Sequence, residues 1–94
     1  MNLFETSDKT GRKIHLSNER WKHISKEHPE VTSYVEEFTD VLKNPIKITG
    51  TEVDEKVKYY YNQFKVHGRY ILIIVKYLNG IGFIITAYFT RKIP

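Results

Sequence analysis

Apolar and polar positions along this chain follow two periods. Residues 18–44 repeat bulky apolar side chains every three or four positions, and residues 57–90 alternate or cluster them in short β-branched and aromatic runs. The clearest stretch is 70–90. Tyr70-Ile-Leu-Ile-Ile-Val-Lys76-Tyr-Leu and Gly82-Phe-Ile-Ile-Thr86-Ala-Tyr88-Phe-Thr flank Asn79-Gly80, a dipeptide that tolerates positive φ, and predict an antiparallel hairpin at the centre of a sheet. A turn with Gly80 at a left-handed bulge pairs Tyr77 with Ile81. In that register Ile71, Ile73, Val75, Phe83, Ile85, Ala87 and Phe89 share one face, and Tyr70, Leu72, Ile74, Lys76, Ile84, Thr86 and Tyr88 the other. A two-residue loop pairing Leu78 with Ile81 would scatter the polar groups, so the bulged register is the expectation.

Upstream, Ser17 is a good N-cap with Glu19 in the first turn, and the helix it opens must stop near His28, because Pro29 disfavours helical backbone before it. Trp21, Ile24 and His28 share a face of that helix, from which His23 projects away. Thr32 or Ser33 caps a second helix bearing Tyr34, Val35, Phe38, Val41 and Leu42, ended by Asn44-Pro45. Residues 46–49 and 57–64 read as two further strands, with Tyr59-Tyr60-Tyr61 leaving open which alternate set looks inward. His67-Gly68 is a plausible turn into the main hairpin. Residues 12–16 alternate enough for a short edge strand with His15 in solvent, and residues 1–11 read as polar. The expectation is one α+β domain spanning residues 1–94: two N-terminal helices packed on one face of a four-stranded antiparallel sheet, with room for a short extra N-terminal strand. The other sheet face is left open.

Composition narrows what that face can meet. Fifteen Lys and Arg against 11 Asp and Glu give a net charge of +4 and a pI near 9.3, which suits a polyanion such as RNA. Without cysteine there is neither a disulfide framework nor a thiolate metal site. The opening residues lack the charged and apolar regions of a signal peptide, and the apolar run 70–75 is far short of the roughly 20 residues of a membrane helix. A cytoplasmic protein without membrane contact is expected.

The chain has no Gly-rich phosphate loop, Gly-x-Ser-x-Gly elbow or His-Glu-x-x-His motif, and His23 and His28 are too far apart around the helix to chelate one ion. No metal or cofactor is expected. Metal-free RNA cleavage fits the residues better, because it needs a base for the 2′-hydroxyl, an acid for the leaving oxygen and cations for the phosphate. Histidine, lysine, arginine and tyrosine supply these.

The segments Trp21-Lys-His-Ile24, His28-Pro-Glu30, Tyr59-Tyr60-Tyr61, Gly68-Arg69-Tyr70 and Gly82-Phe-Ile-Ile-Thr86-Ala-Tyr88 resemble the small phage-associated and toxin-type nucleases of the barnase, EndoU, colicin and RelE-like group. The resemblance covers residues 16–91. It implies a metal-independent endoribonuclease, commonly a toxin, with its active face on the sheet and a cognate acidic inhibitor as partner. Matched residue by residue, it implies catalytic roles for His28 or His23, Lys76, Tyr88 and Thr86, and a substrate-binding role for Arg69; Tyr70 and Tyr60 are added as aromatic contacts for RNA. From position, His28 is favoured over His23. The rival expectation is a non-catalytic module that stacks RNA bases on Tyr59, Tyr60, Tyr70 and Tyr88, or a domain whose open face docks a protein.

Overall fold

In the computed structural model, which describes residues 2–64 and 68–94, two strands precede the helices and four follow them. Strand β1 (Asn2–Ser7) and β2 (Lys13–Ser17) lead into helix α1 (Asn18–Glu27). A 3₁₀ stretch (Pro29–Glu37) runs into helix α2 (Phe38–Lys43), and β3 (Lys47–Gly50), β4 (Val57–Phe64), β5 (Arg69–Leu78) and β6 (Ile81–Thr90) complete the chain. The strands form one six-stranded sheet in the order β1-β2-β6-β5-β4-β3. Every neighbouring pair is antiparallel except β2 and β6, which run parallel.

The class is α+β, but the expected four-stranded antiparallel sheet is overturned. Strand β2 is not an edge strand; it lies between β1 and β6, and its parallel pairing Ile14–Gly82 and His15–Phe83 makes the sheet mixed. Residues 1–11, read from the sequence as polar with no strand assigned, hold β1. The second helix also differs. Thr32 does not cap it: its hydroxyl donates to the Pro29 carbonyl (2.8 Å), the backbone leaves helical geometry at Tyr34 (φ −118°, ψ 19°), and α-helix begins only at Phe38. The His67 half of the turn expected at His67-Gly68 lies outside the described residues.

Helix α1 forms as its sequence suggests. The Ser17 hydroxyl accepts from the Arg20 N–H (3.1 Å), and the His28 N–H closes the last turn on the Ile24 carbonyl (2.7 Å). Ile24, Val31, Phe38, Val41 and Leu42 from the helical segments pack with Ile14, Leu16, Tyr60, Ile71, Ile73, Val75, Ile84 and Ala87 of the sheet. One face of the sheet is thereby covered.

Gly82 sits at the tightest point of that layer. A β-carbon there would meet Tyr77 Cε1 and Val75 Cγ1 at 2.9 Å and Ile14 Cγ1 at 3.0 Å, so side chains of β2 and β5 close over the bare backbone of β6. Gly82→Ala is expected to lower stability by about 1–3 kcal/mol through overpacking, read from the midpoint of urea unfolding. A midpoint equal to wild type would mean that β2 can move off β6 at no cost.

Candidate functional site

The face turned away from the helices is built by the hairpin; it is open at Phe83 and Lys76 and closed over Leu72 and Tyr61, both 3% exposed. Asn79 (φ 54°) and Gly80 (φ 80°) make a two-residue loop with both residues left-handed, so Leu78 pairs with Ile81 and Tyr77 with Gly82. The expected Tyr77–Ile81 register is therefore wrong, and so is a bulge at Gly80. A bulge occurs farther along: Val75 pairs with Ile84, Ile74 with Thr86, and Ile85 is the extra residue. Its effect is to change phase. Phe83 and Ile84 exchange the faces expected for them: Ile84 enters the core, and Phe83 comes out beside Lys76, on the same side as Thr86 and Tyr88.

Three of the cross-strand rows on this face hold the candidate residues. Glu5, His15, Phe83, Lys76 and Val57 form the first, running β1-β2-β6-β5-β4. Thr86, Ile74 and Tyr59 form the second, and Tyr88, Leu72 and Tyr61 the third. Helix α1 lies alongside β6, with Arg20 near Ile85 and His28 at Tyr88.

At one end the His28 ring stacks on Tyr88 (centroids 5.0 Å, planes at 26°), and its Nδ1 is 3.8 Å from Glu30 Oε1. The Tyr88 phenol has its pKa raised, by burial first and then by the neighbouring phenols of Tyr59 and Tyr61, so it remains a hydrogen-bond donor at neutral pH. In the middle row the Thr86 hydroxyl oxygen is buried and has no hydrogen-bond partner among the described groups. A buried hydroxyl left this way costs about 1–3 kcal/mol. At the other end Lys76 Nζ is 3.1 Å from Asp54 Oδ2. The Asp54 carboxyl is held below its usual pKa, first by the Lys56 N–H and then by Lys76.

Lys76, Thr86, Tyr88 and His28 thus share one face, but they do not converge on one atom. Lys76 and Leu72, the partner of Tyr88, are four residues apart on β5, about 13 Å. Thr86 lies in the row between, within a lysine side chain's reach of one end and beside Tyr88 at the other.

The other sequence candidates lie elsewhere. His23 is exposed on α1 and pairs with Glu27 (3.3 Å). Tyr60, expected to contact RNA, is buried in the core, its hydroxyl 2.5 Å from that of Tyr77, and cannot stack on a base. Arg69 alternates with Tyr70 at the start of β5 and so belongs with Ile71 on the helix side, while Tyr70 lies on the Lys76 side at the far end, between Gln63 and Thr90.

His15 was expected in solvent, yet its side chain is only 17% exposed; it stacks on Phe83 (centroids 5.8 Å), with Nδ1 3.3 Å from Glu5 Oε2. With Arg20 and Lys76 it walls a cavity of about 420 Å³. The alternation Ile14-His15-Leu16 already placed His15 opposite the core. Only the parallel pairing of β2 with β6 shows that this side adjoins Lys76.

Among the described residues no three imidazole or carboxylate groups gather as a metal-binding set, and no helix is long and apolar enough to cross a membrane. Comparison of the chain with protein-family models, curated proteins and solved structures found no match.

Proposed function

We propose that this protein is a metal-independent endoribonuclease acting on the open face of its sheet, with the scissile phosphate over Thr86. The observation that carries the proposal is the phase change at Ile85, which sets Lys76, Thr86 and Tyr88 on one surface and leaves His28 stacked at its rim. His28 removes the proton of the 2′-hydroxyl, whose oxygen attacks phosphorus; the bond to O5′ breaks, and O5′ takes a proton from a donor on this face, such as the Tyr88 phenol. The Lys76 ammonium exchanges Asp54 for a phosphate oxygen and stabilises the crowded intermediate. The Thr86 hydroxyl turns outward to position the phosphate. The products are a 2′,3′-cyclic phosphate and a 5′-hydroxyl, with no water consumed in the cleavage step. Such an enzyme acts as a toxin in the cytoplasm, restrained by an inhibitor that lays acidic side chains on the same basic surface.

A single-stranded RNA incubated with the protein in EDTA is expected to be cut, while the same oligonucleotide with 2′-deoxyribose throughout stays whole. Cleavage of both would remove 2′-hydroxyl attack from consideration. Lys76→Ala is expected to slow the reaction on the order of 10²-fold, as loss of one transition-state charge contact does. A non-catalytic RNA-binding module is the reading favoured by the rings of Tyr59 and Tyr88 on this face; it predicts salt-sensitive binding with intact RNA recovered.

A further inference from the structure

Of the residues that line the cavity at the β2–β6 junction, the chemistry above uses Lys76 alone. Its lining includes His15, Arg20, Lys76, Leu78, Phe83 and Ile85. Three of these carry or can carry positive charge, and one is an aromatic ring that is 42% exposed beside an imidazole already stacked on it. At about 420 Å³ the space is in the range of small-ligand pockets and large enough for one nucleotide. Two acids lie close: Glu5 bonds His15, and Asp54 bonds Lys76. Arg20 has no ion-pair partner among the described residues, so a phosphate bound there displaces no carboxylate from it.

We propose that this cavity is a nucleotide subsite that holds the residue of an RNA strand next to the one over Thr86. The base lies against the exposed side of Phe83, where ring contact is tolerant of base identity. Its phosphate is gripped by the Arg20 guanidinium, whose planar fork suits two phosphate oxygens, with the Lys76 ammonium opposite. The row Glu5–His15–Phe83 supports the base wall from behind, since the carboxylate fixes the imidazole and the imidazole fixes the phenyl ring. Lys76 then stands between the two phosphates. The placement along the strand rests on the ribonuclease reading; the affinity of the cavity for a nucleotide does not.

The test is a titration of the whole protein with adenosine 5′-monophosphate, followed by amide NMR, beside inorganic phosphate. Saturable shifts are expected at His15, Arg20, Lys76 and Phe83, with phosphate alone binding more weakly. Arg20→Ala, a change at an exposed helix position, is expected to weaken binding about tenfold or more, the loss of charge-assisted hydrogen bonds to one phosphate. Phe83→Ala should weaken the nucleotide but not inorganic phosphate, and His23→Ala, an exposed change on α1 away from the cavity, neither. Absence of saturable shifts, or shifts indifferent to Arg20→Ala, overturns the subsite. Binding that behaves as described in a protein that never cuts RNA would retain the subsite and remove the enzyme, whereas RNA cleavage by a protein that does not bind the nucleotide would do the reverse.

Discussion

His28→Ala is expected to slow RNA cleavage by about 10²- to 10⁴-fold, the usual loss when a positioned proton-transfer group is removed, without unfolding the protein. The fold should survive because what His28 gives to α1 is its backbone: the N–H bonded to the Ile24 carbonyl remains in alanine. The imidazole itself is 30% exposed at the helix end and lies outside the hydrophobic core, so its loss removes the stack on Tyr88 and leaves the core intact. Two companion variants separate chemistry from packing. Tyr88→Phe keeps the ring under the imidazole but removes the hydroxyl, and should reduce the rate if that phenol donates to the phosphate or the leaving oxygen. His23→Ala removes an exposed imidazole whose pair with Glu27 is worth a few tenths of a kcal/mol at most, and should leave the rate unchanged. Single-turnover cleavage of a labelled RNA gives the readout. A wild-type rate in His28→Ala would move proton transfer away from this end of the face.

Local sequence carried the faces of β5 but not the relation between strands. Alternation from Ile71 to Lys76 fixed which of its side chains go together, and Asn79-Gly80 marked the loop. The register between the two arms was not legible. A two-residue loop alone puts Phe83 with Lys76 but would turn Thr86 and Tyr88 to the other side, and the bulge that brings them back lies within Ile84-Ile85, where two identical residues give no local sign of a change in phase. Strand β2 was legible as a strand; its place in the sheet depends on contact with residues nearly seventy positions later, which no short-range period encodes. His15 and Arg20 were missed for that reason. In Tyr59-Tyr60-Tyr61 the run of one residue type hid the phase. The side that turns inward is set by a distant partner, the Asp8 carboxylate, which reaches Tyr60 and Tyr77 from the turn between β1 and β2.

Asp8 is also where the largest loss of stability is expected. Its side chain is fully buried, and its carboxylate accepts from the Thr10 N–H (2.8 Å) and hydroxyl (2.7 Å), the Arg12 N–H (3.0 Å) and Nε (3.0 Å) and the Tyr77 hydroxyl (2.7 Å). Burial by itself would raise its pKa, but these donors outweigh it and hold the group at about 2, against an ordinary 3.8. The Tyr77 phenol is correspondingly raised, by burial first and then by its bonds to Tyr60 and Asp8. A depressed carboxylate pKa means that the unfolded chain binds the proton more readily. Its stabilisation of about 2 kcal/mol is therefore complete above the unfolded value and is lost as pH falls from about 4 through 2. Asp8→Ala removes the acceptor as well as the charge and leaves buried hydroxyls and turn N–H groups short of partners, so a loss of about 3 kcal/mol or more is expected at neutral pH. Urea unfolding at a series of pH values checks both parts: the gap between wild type and variant should be widest at neutral pH and should narrow through the acid range. A gap independent of pH would show that Asp8 acts through packing, not charge. Because the same turn sets β1 against β2, the variant should also loosen the Glu5–His15–Phe83 row and weaken nucleotide binding well before the protein unfolds.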